Sequence, residues 1–257
     1  MRRLHENLFA FEYEVMATNC FVVLSDNFVF VVDSYLGPDF ISDMASFVES
    51  VRGNRRVMLL NTHSHYDHVW GNCLFEGSPI IGHELCRKKM LEEGERVLSD
   101  FRSSEPEIVG GDVRIVPPSM VFSDRLVLHD GDFSLSLEHF PGHSCDSVII
   151  AAEPWHECFA GDSLEDPFPL VHESREGASV LASNLRRLRD RRFGAVYPAH
   201  GKRTDPALID DNIEYLDRLV RFGMGEKGDF GSYCELKGVK SPFYVDSHRR
   251  NLEMQIL

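Results

Sequence analysis

No run of apolar residues in this sequence is long enough to cross a bilayer. The longest, such as Phe28 to Val32, have strand length, far below the ~20 residues that a spanning helix needs, so no membrane partner is expected. Paired cysteines are also lacking. The six present, Cys20, Cys73, Cys86, Cys145, Cys158 and Cys234, are scattered without the short spacings of a zinc ribbon or a disulfide framework, and are read as free thiols in a reducing compartment. At the start, Arg2 and Arg3 supply two cations, but Glu6, Asn7 and Glu12 interrupt any apolar h-region. No signal peptide is read, and a cytoplasmic location is expected. A surplus of positive charge is missing as well: the formal net charge is -14, which repels phosphate backbones and disfavours nucleic acid as a partner.

What is present is an ordinary globular composition, 43% hydrophobic and 26% charged over 257 residues, enough to bury a core without staples. Nothing in it decides against a homo-oligomer. Cys20 to Leu24 and Phe28 to Asp33 are β-branched and aromatic runs around Ser25-Asp26-Asn27, which predicts a hairpin. A helix is expected from Pro38 to Gly53, a strand over Arg56 to Asn61, another over Pro79 to Gly82, and a helix over Glu84 to Leu98. Ser99 to Ser119 loses periodicity and reads as a long connection or short surface strands. Further strands are expected over Met120 to Leu128, Phe133 to Phe140, Ser147 to Ala152, Glu157 to Ala160 and Gly194 to Tyr197, with helices over Arg175 to Arg192 and Pro206 to Phe222. This order predicts two packed sheets, mixed or antiparallel, flanked by helices. Gly223 to Leu257 has weak helical potential around His248 to Ile256.

One segment is dense in metal-ligand chemistry. Asn61-Thr62-His63-Ser64-His65-Tyr66-Asp67-His68 leaves a strand with three imidazoles and a carboxylate in six positions. His63 and His65, two apart, point to the same side if the strand's period persists, and can grip one ion. Asp67 and His68 follow where the chain turns, within reach of a second. Three more ligand-type residues are read at strand ends: His143 in Pro141-Gly142-His143-Ser144, Asp162 after Gly161, and His200 in Pro198-Ala199-His200-Gly201. A lone His or Asp in such a place is usually an ordinary loop residue; seven together are better explained by a metal cluster.

The His63-Ser64-His65-Tyr66-Asp67-His68 run, followed in order by His143, Asp162 and His200, resembles the metallo-β-lactamase-fold hydrolase superfamily, nearest in motif to its glyoxalase II-like binuclear members. The resemblance covers most of the chain, including Asp33 at the end of an early strand and the Gly71-Asn72 pair. It implies an αββα fold of the α/β class, with residues 1–222 as the catalytic domain and 223–257 as a tail packing on the same domain. It also implies His63, His65 and His143 on a first metal, Asp67, His68 and His200 on a second, and Asp162 bridging them. A carboxylate in the bridging position is typical of the esterase-like members, so β-lactam hydrolysis is not expected. Asp33 is expected to receive the N–H of a ligand imidazole, fixing its tautomer.

Imidazole and carboxylate without thiolate suit two divalent transition-metal ions, zinc foremost, with iron and manganese as alternatives. Such a pair holds a hydroxide nucleophile because metal binding lowers the pKa of water towards ~7, and Asp67 is the candidate catalytic residue to orient it or pass its proton. The expected function is hydrolysis of a small ester, thioester or lactone. A mononuclear iron persulfide dioxygenase-like activity and a phosphodiesterase activity are the alternatives. Tyr66, Trp70, Phe168, Leu170 and His172 are the candidate substrate-pocket residues. The basic run Arg186 to Arg192 is expected to be the solvated face of one amphipathic helix rather than an RNA site.

Overall fold

The structure, a computed structural model, describes residues 1–171, 173–226 and 228–256. The chain divides into two compact units, Met1–His139 with Ile150–Pro154, and Phe140–Ile149 with Trp155–Leu257.

In the first unit, seven strands form one sheet whose order is the order of the chain: β1 (Arg2–His5), β2 (Leu8–Glu12), β3 (Asn19–Leu24), β4 (Phe28–Val32), β5 (Arg56–Leu60), β6 (Ile80–His83) and β7 (Met120–Phe122). The first four pair antiparallel and the last four parallel. Antiparallel neighbours need only tight turns, whereas each parallel step needs a crossover. The crossovers contain α1 (Ser42–Arg52), the one-turn α2 (Tyr66–Val69) with a 3-10 turn after it, and α3 (Glu84–Ser104). β4, Phe-Val-Phe-Val-Val, is buried along nearly its whole length, as expected of a strand covered on both faces. Trp70, Tyr35, Phe11 and Leu59 belong to the core packed on this sheet. The unit also holds the antiparallel hairpin β8 (Arg125–Asp130) and β9 (Phe133–His139).

Two sequence expectations change here, and one hairpin is new. The N-terminal hairpin β1–β2 was not anticipated, because its first strand is short and half charged. The helix expected to end at Leu98 runs on to Ser104. Met120 to Leu128 is two strands: β7 pairs with β6, and β8 pairs with β9. The polar pair Ser123-Asp124 breaks the run, and the Ser123 carbonyl accepts a hydrogen bond from His83 Nε2 at 2.6 Å.

The second sheet has the order β12-β11-β10-β9-β8, with β10 spanning Val148–Glu153, β11 Glu157–Glu165 and β12 Ala195–His200. In the second unit β11 and β12 run parallel. Around them are α4 (Gly177–Asp190), α5 (Ala207–Gly223), α6 (Tyr233–Leu236) and α7 (Pro242–Ile256). Two arginines of α4 face acids of α5, Arg186 to Asp217 at 2.6 Å and Arg189 to Asp210 at 3.1 Å, while Arg191 and Arg192 of the basic run lie just beyond the helix. The tail read as weakly helical contains a 15-residue helix, α7. Its Tyr244 and His248 join Phe168, Tyr215, Phe230 and Tyr233 in an aromatic cluster. The cluster gives α7 the apolar anchor that its weak periodicity hides. No helix among the described residues is long and apolar enough to cross a membrane. None of the six cysteines, all of them among the described residues, is in a disulfide, and of the six only Cys145 is exposed.

Candidate metal centre

Asp33 follows β4 in the left-handed region, with φ 60°, a conformation that Asp tolerates better than most residues. The turn aims its carboxylate inward, where both oxygens are used. Oδ1 accepts from the Thr62 backbone N–H at 2.8 Å; Oδ2 accepts from Thr62 Oγ1 at 2.7 Å and from His68 Nδ1 at 2.8 Å. These contacts fix tautomers, because an ionised carboxylate only accepts. His68 must carry its proton on Nδ1, leaving Nε2 as the ligand nitrogen. Thr62 Oγ1 spends its own proton on Asp33, so at 3.2 Å from His63 Nδ1 it accepts, and His63 likewise presents Nε2.

The remaining ligand-type residues of this unit follow from the chain leaving β5. His65 is the residue before α2, and its ring meets that of His63 edge to face at 4.5 Å. One turn of helix brings Asp67 Oδ2 to 3.6 Å from His68 Nε2. Asp67 is steadied by Thr18 Oγ1, which donates to Oδ2 at 3.0 Å. Nothing in a lone threonine 49 positions away marked it in the sequence. Gly71 lets the chain pass this close: a Cβ there would lie 1.9 Å from the Ser34 carbonyl oxygen. Here the glycine is a requirement of space.

In the second unit, Asp162 lies within β11 rather than beyond its end. The pairing of β11 with β12 is irregular on either side of Gly161, whose φ is 53°, and bulges of this kind re-aim side chains. Asp162 Oδ2 stands 3.4 Å from His143 Nε2 and 3.5 Å from His200 Nε2. His143 Nδ1 donates to the Leu170 carbonyl at 2.7 Å, so it too presents Nε2. His200 closes β12. Three residues beyond Asp162, Glu165 is buried, and burial pushes its carboxyl up to about 8, with His200 opposing the rise and Asp162 adding to it.

All seven residues offer an imidazole nitrogen or carboxylate oxygen as ligand atom. Six of them are buried and His65 is half-buried. A nitrogen and oxygen donor set of this kind fits divalent transition metals.

The candidate pocket residues have varied fates. Tyr66 is half-buried beside Trp70 and Phe101. Trp70 and Phe168 lie in cores, Phe168 stacked on Tyr215 with centroids 4.3 Å apart. Leu170 meets His143 through its backbone carbonyl, and His172 lies outside the described residues. Phe243, which sequence reasoning missed, is 38% exposed with its ring 5.9 Å from that of His200.

A mixed-sheet α/β fold with clustered histidines and aspartates, the tautomers of His63, His68 and His143 set by acceptors behind them, defines a metal-binding protein. The family model of the metallo-beta-lactamase superfamily matches residues 13–200, and the chain belongs to that superfamily. The metallo-beta-lactamase family protein TTHA1429 from Thermus thermophilus shares the fold with TM-score 0.71 at 17% identity, over 98% of this chain and 93% of that one. The BLEG-1 B3 metallo-beta-lactamase does so with TM-score 0.64 at 20% identity, over 81% and 99%. In sequence the chain is 27% identical over 212 residues to an atrochrysone carboxyl ACP thioesterase of Aspergillus fumigatus, covering 80% of this chain and 41% of the relative. It is 27% identical over 122 residues to the acyl-coenzyme A thioesterase MBLAC2 of Bos taurus, covering 44% and 43%. The chain thus spans less than half the length of these curated relatives. Fold and ligand-type clusters together suit a binuclear metal site.

Proposed function

We propose that this chain is a metal-dependent hydrolase of a small thioester, ester or lactone. In this reading His63, His65 and His143 would hold one divalent ion and Asp67, His68 and His200 a second, with Asp162 shared between them. The observation that carries it is the position of Asp162 Oδ2, nearly equidistant at 3.4 and 3.5 Å from the Nε2 atoms of His143 and His200. That placement suits a carboxylate shared between two ions, each with its own imidazole. Bound ions would supply Lewis acidity to the substrate's carbonyl and lower the pKa of coordinated water.

The chain's own groups account for the rest. Asp67, held at Oδ2 by the Thr18 hydroxyl, orients the attacking water or takes its proton at a carboxylate oxygen. Asp33 keeps His68 in the tautomer that ligates. Phe243, exposed beside His200, offers apolar surface to an acyl or leaving group, which favours a carbonyl compound over a phosphodiester. A thioester heads the candidates because two curated relatives bear thioesterase names.

The test is a panel of acyl-coenzyme A thioesters, aryl esters, lactones and a bis-aryl phosphate, run with elemental analysis of the purified protein. Best turnover on a thioester or carboxylic ester with about two ions per chain supports the reading. Faster cleavage of the phosphate replaces it with a phosphodiesterase. One iron per chain with oxygen consumption replaces it with a dioxygenase.

A further inference from the structure

The segment 166–171 runs between β11 and α4 without regular secondary structure, so its backbone polar groups need other partners. Leu170 lies inside it. Its N–H donates to Glu165 Oε1 at 3.0 Å, and its carbonyl accepts the Nδ1 proton of His143 at 2.7 Å. The peptides on either side of Leu170 are held by one side chain from 80 residues further along. Asn251 Oδ1 accepts from the Val171 N–H at 2.8 Å, and Asn251 Nδ2 donates to the Pro169 carbonyl at 2.9 Å. Val171 N–H only donates and the Pro169 carbonyl only accepts, so these two partners define the amide's orientation.

Asn251 is itself pinned. It is wholly buried on α7, and Nδ2 also donates to the Tyr215 hydroxyl at 2.9 Å. That hydroxyl donates in turn to His248 Nδ1 at 2.9 Å, and His248 Nε2 donates to the Phe230 carbonyl at 3.0 Å. Burial lowers the pKa of His248, which keeps it neutral and able to accept. The network is therefore consistent in every donor and acceptor, as a buried polar network must be to confer rigidity.

We propose that Asn251 is a positioning residue for His143: by clamping the peptides flanking Leu170, it aims the Leu170 carbonyl that holds the imidazole in its Nδ1–H form. The inference rests on the reading of His143 as a metal ligand. It makes the C-terminal helix part of the support of the centre, where the sequence suggested only a packing tail. The alternative is that Asn251 merely docks α7. Gln255, one turn further along, separates the two cases: its amide donates to the Arg175 carbonyl at 3.0 Å, a docking bond of the same kind that does not reach segment 166–171.

The experiment compares Asn251→Ala and Gln255→Ala with the unaltered protein by two readouts. The first is zinc affinity by competition with a chromogenic chelator. Asn251→Ala should weaken it by up to about ten-fold, the low end of the roughly ten- to hundred-fold loss seen when the outer partner of a ligating histidine is itself removed, while Gln255→Ala changes it less than about two-fold. The second is the tautomer of His143 in metal-free protein, read from 15N–1H correlations of the imidazole. It should be Nδ1–H in the unaltered protein and Gln255→Ala, and mixed in Asn251→Ala. Equal affinity and an unchanged tautomer in Asn251→Ala would overturn the proposal. If the unaltered protein takes up no zinc, the metal-centre reading fails, and the tautomer comparison still decides the role of Asn251. Should Asn251→Ala not fold, Asn251→Asp serves: it keeps volume and the acceptor for Val171, loses the donor to Pro169, and should shift both readouts in the same direction.

Discussion

Asp33 Oδ2 and His68 Nδ1 meet at 2.8 Å although 35 residues separate them, and both side chains are almost wholly withdrawn from solvent. The contact joins the end of β4 to α2 and decides which nitrogen of His68 faces outward. Asp33→Asn keeps the left-handed turn but removes the charge that favours the Nδ1 proton. Zinc affinity by chelator competition should fall about 10–100-fold. Asp33→Ala should in addition lose roughly 1–3 kcal/mol of stability for each buried donor left without an acceptor, read by urea titration. Unchanged affinity in both variants would remove Asp33 from the support of the centre.

Asp162→Ala should fold with a cooperative melt close to that of the unaltered protein, because the carboxylate it removes stands beside the imidazoles of His143 and His200. Its metal content should fall from about two ions towards one, with turnover at background. A variant retaining both ions and activity would show that Asp162 does not bridge.

Phe168 was a candidate pocket wall, but it is fully buried on Tyr215. Phe168→Ala should cost about 3–5 kcal/mol, the range for emptying an aromatic site in a core, measured by urea denaturation. Phe243→Ala should instead leave stability within about 0.5 kcal/mol and raise KM for substrates with long acyl chains. The reverse pattern would return Phe168 to the pocket.

Asp130 gives a pH signature distant from the metal ligands in sequence. Burial alone would raise its pKa, but hydrogen bonds from the Asn27 side chain, the Ser25 hydroxyl and the Asn27 backbone, together with nearby Arg55, hold it below the usual 3.8. A carboxyl lowered in the folded state contributes stability that is present above the unfolded value and lost as pH falls through the folded one. The stability difference between the unaltered protein and Asp130→Asn should therefore be constant above about pH 5 and shrink on acidification below 3.8. Urea titrations at stepped pH measure it, and a difference that grows on acidification would contradict the assignment.

The ligand-type residues were legible because imidazoles crowded into His63-Ser64-His65-Tyr66-Asp67-His68 have few structural uses, and because strand ends next to glycines announce themselves. The two-sheet class followed from period and element order. Asp162 was placed just past a strand's end rather than within it because β11 is irregular about Gly161, and a bulge leaves little trace in composition. Thr18, Thr62 and Asn251 were illegible for another reason. Each acts by one or two hydrogen bonds to a partner chosen by the fold, and such pairings have no local pattern. Trp70 and Phe168 were misjudged because aromatics near a ligand motif read alike whether they face substrate or core.

The seven-stranded sheet has one further consequence, which concerns synthesis. Since its strand order is the chain order, no strand waits for a later one before it can pair, and each addition closes only the loop just made. Short closures are entropically cheap and favour fast formation. A chain emerging from the ribosome at ~5–20 residues per second can therefore zip this sheet from its amino end, covering each apolar edge with the strand that follows. His63, His65, Asp67 and His68 would stand on ordered backbone before His143 has been translated.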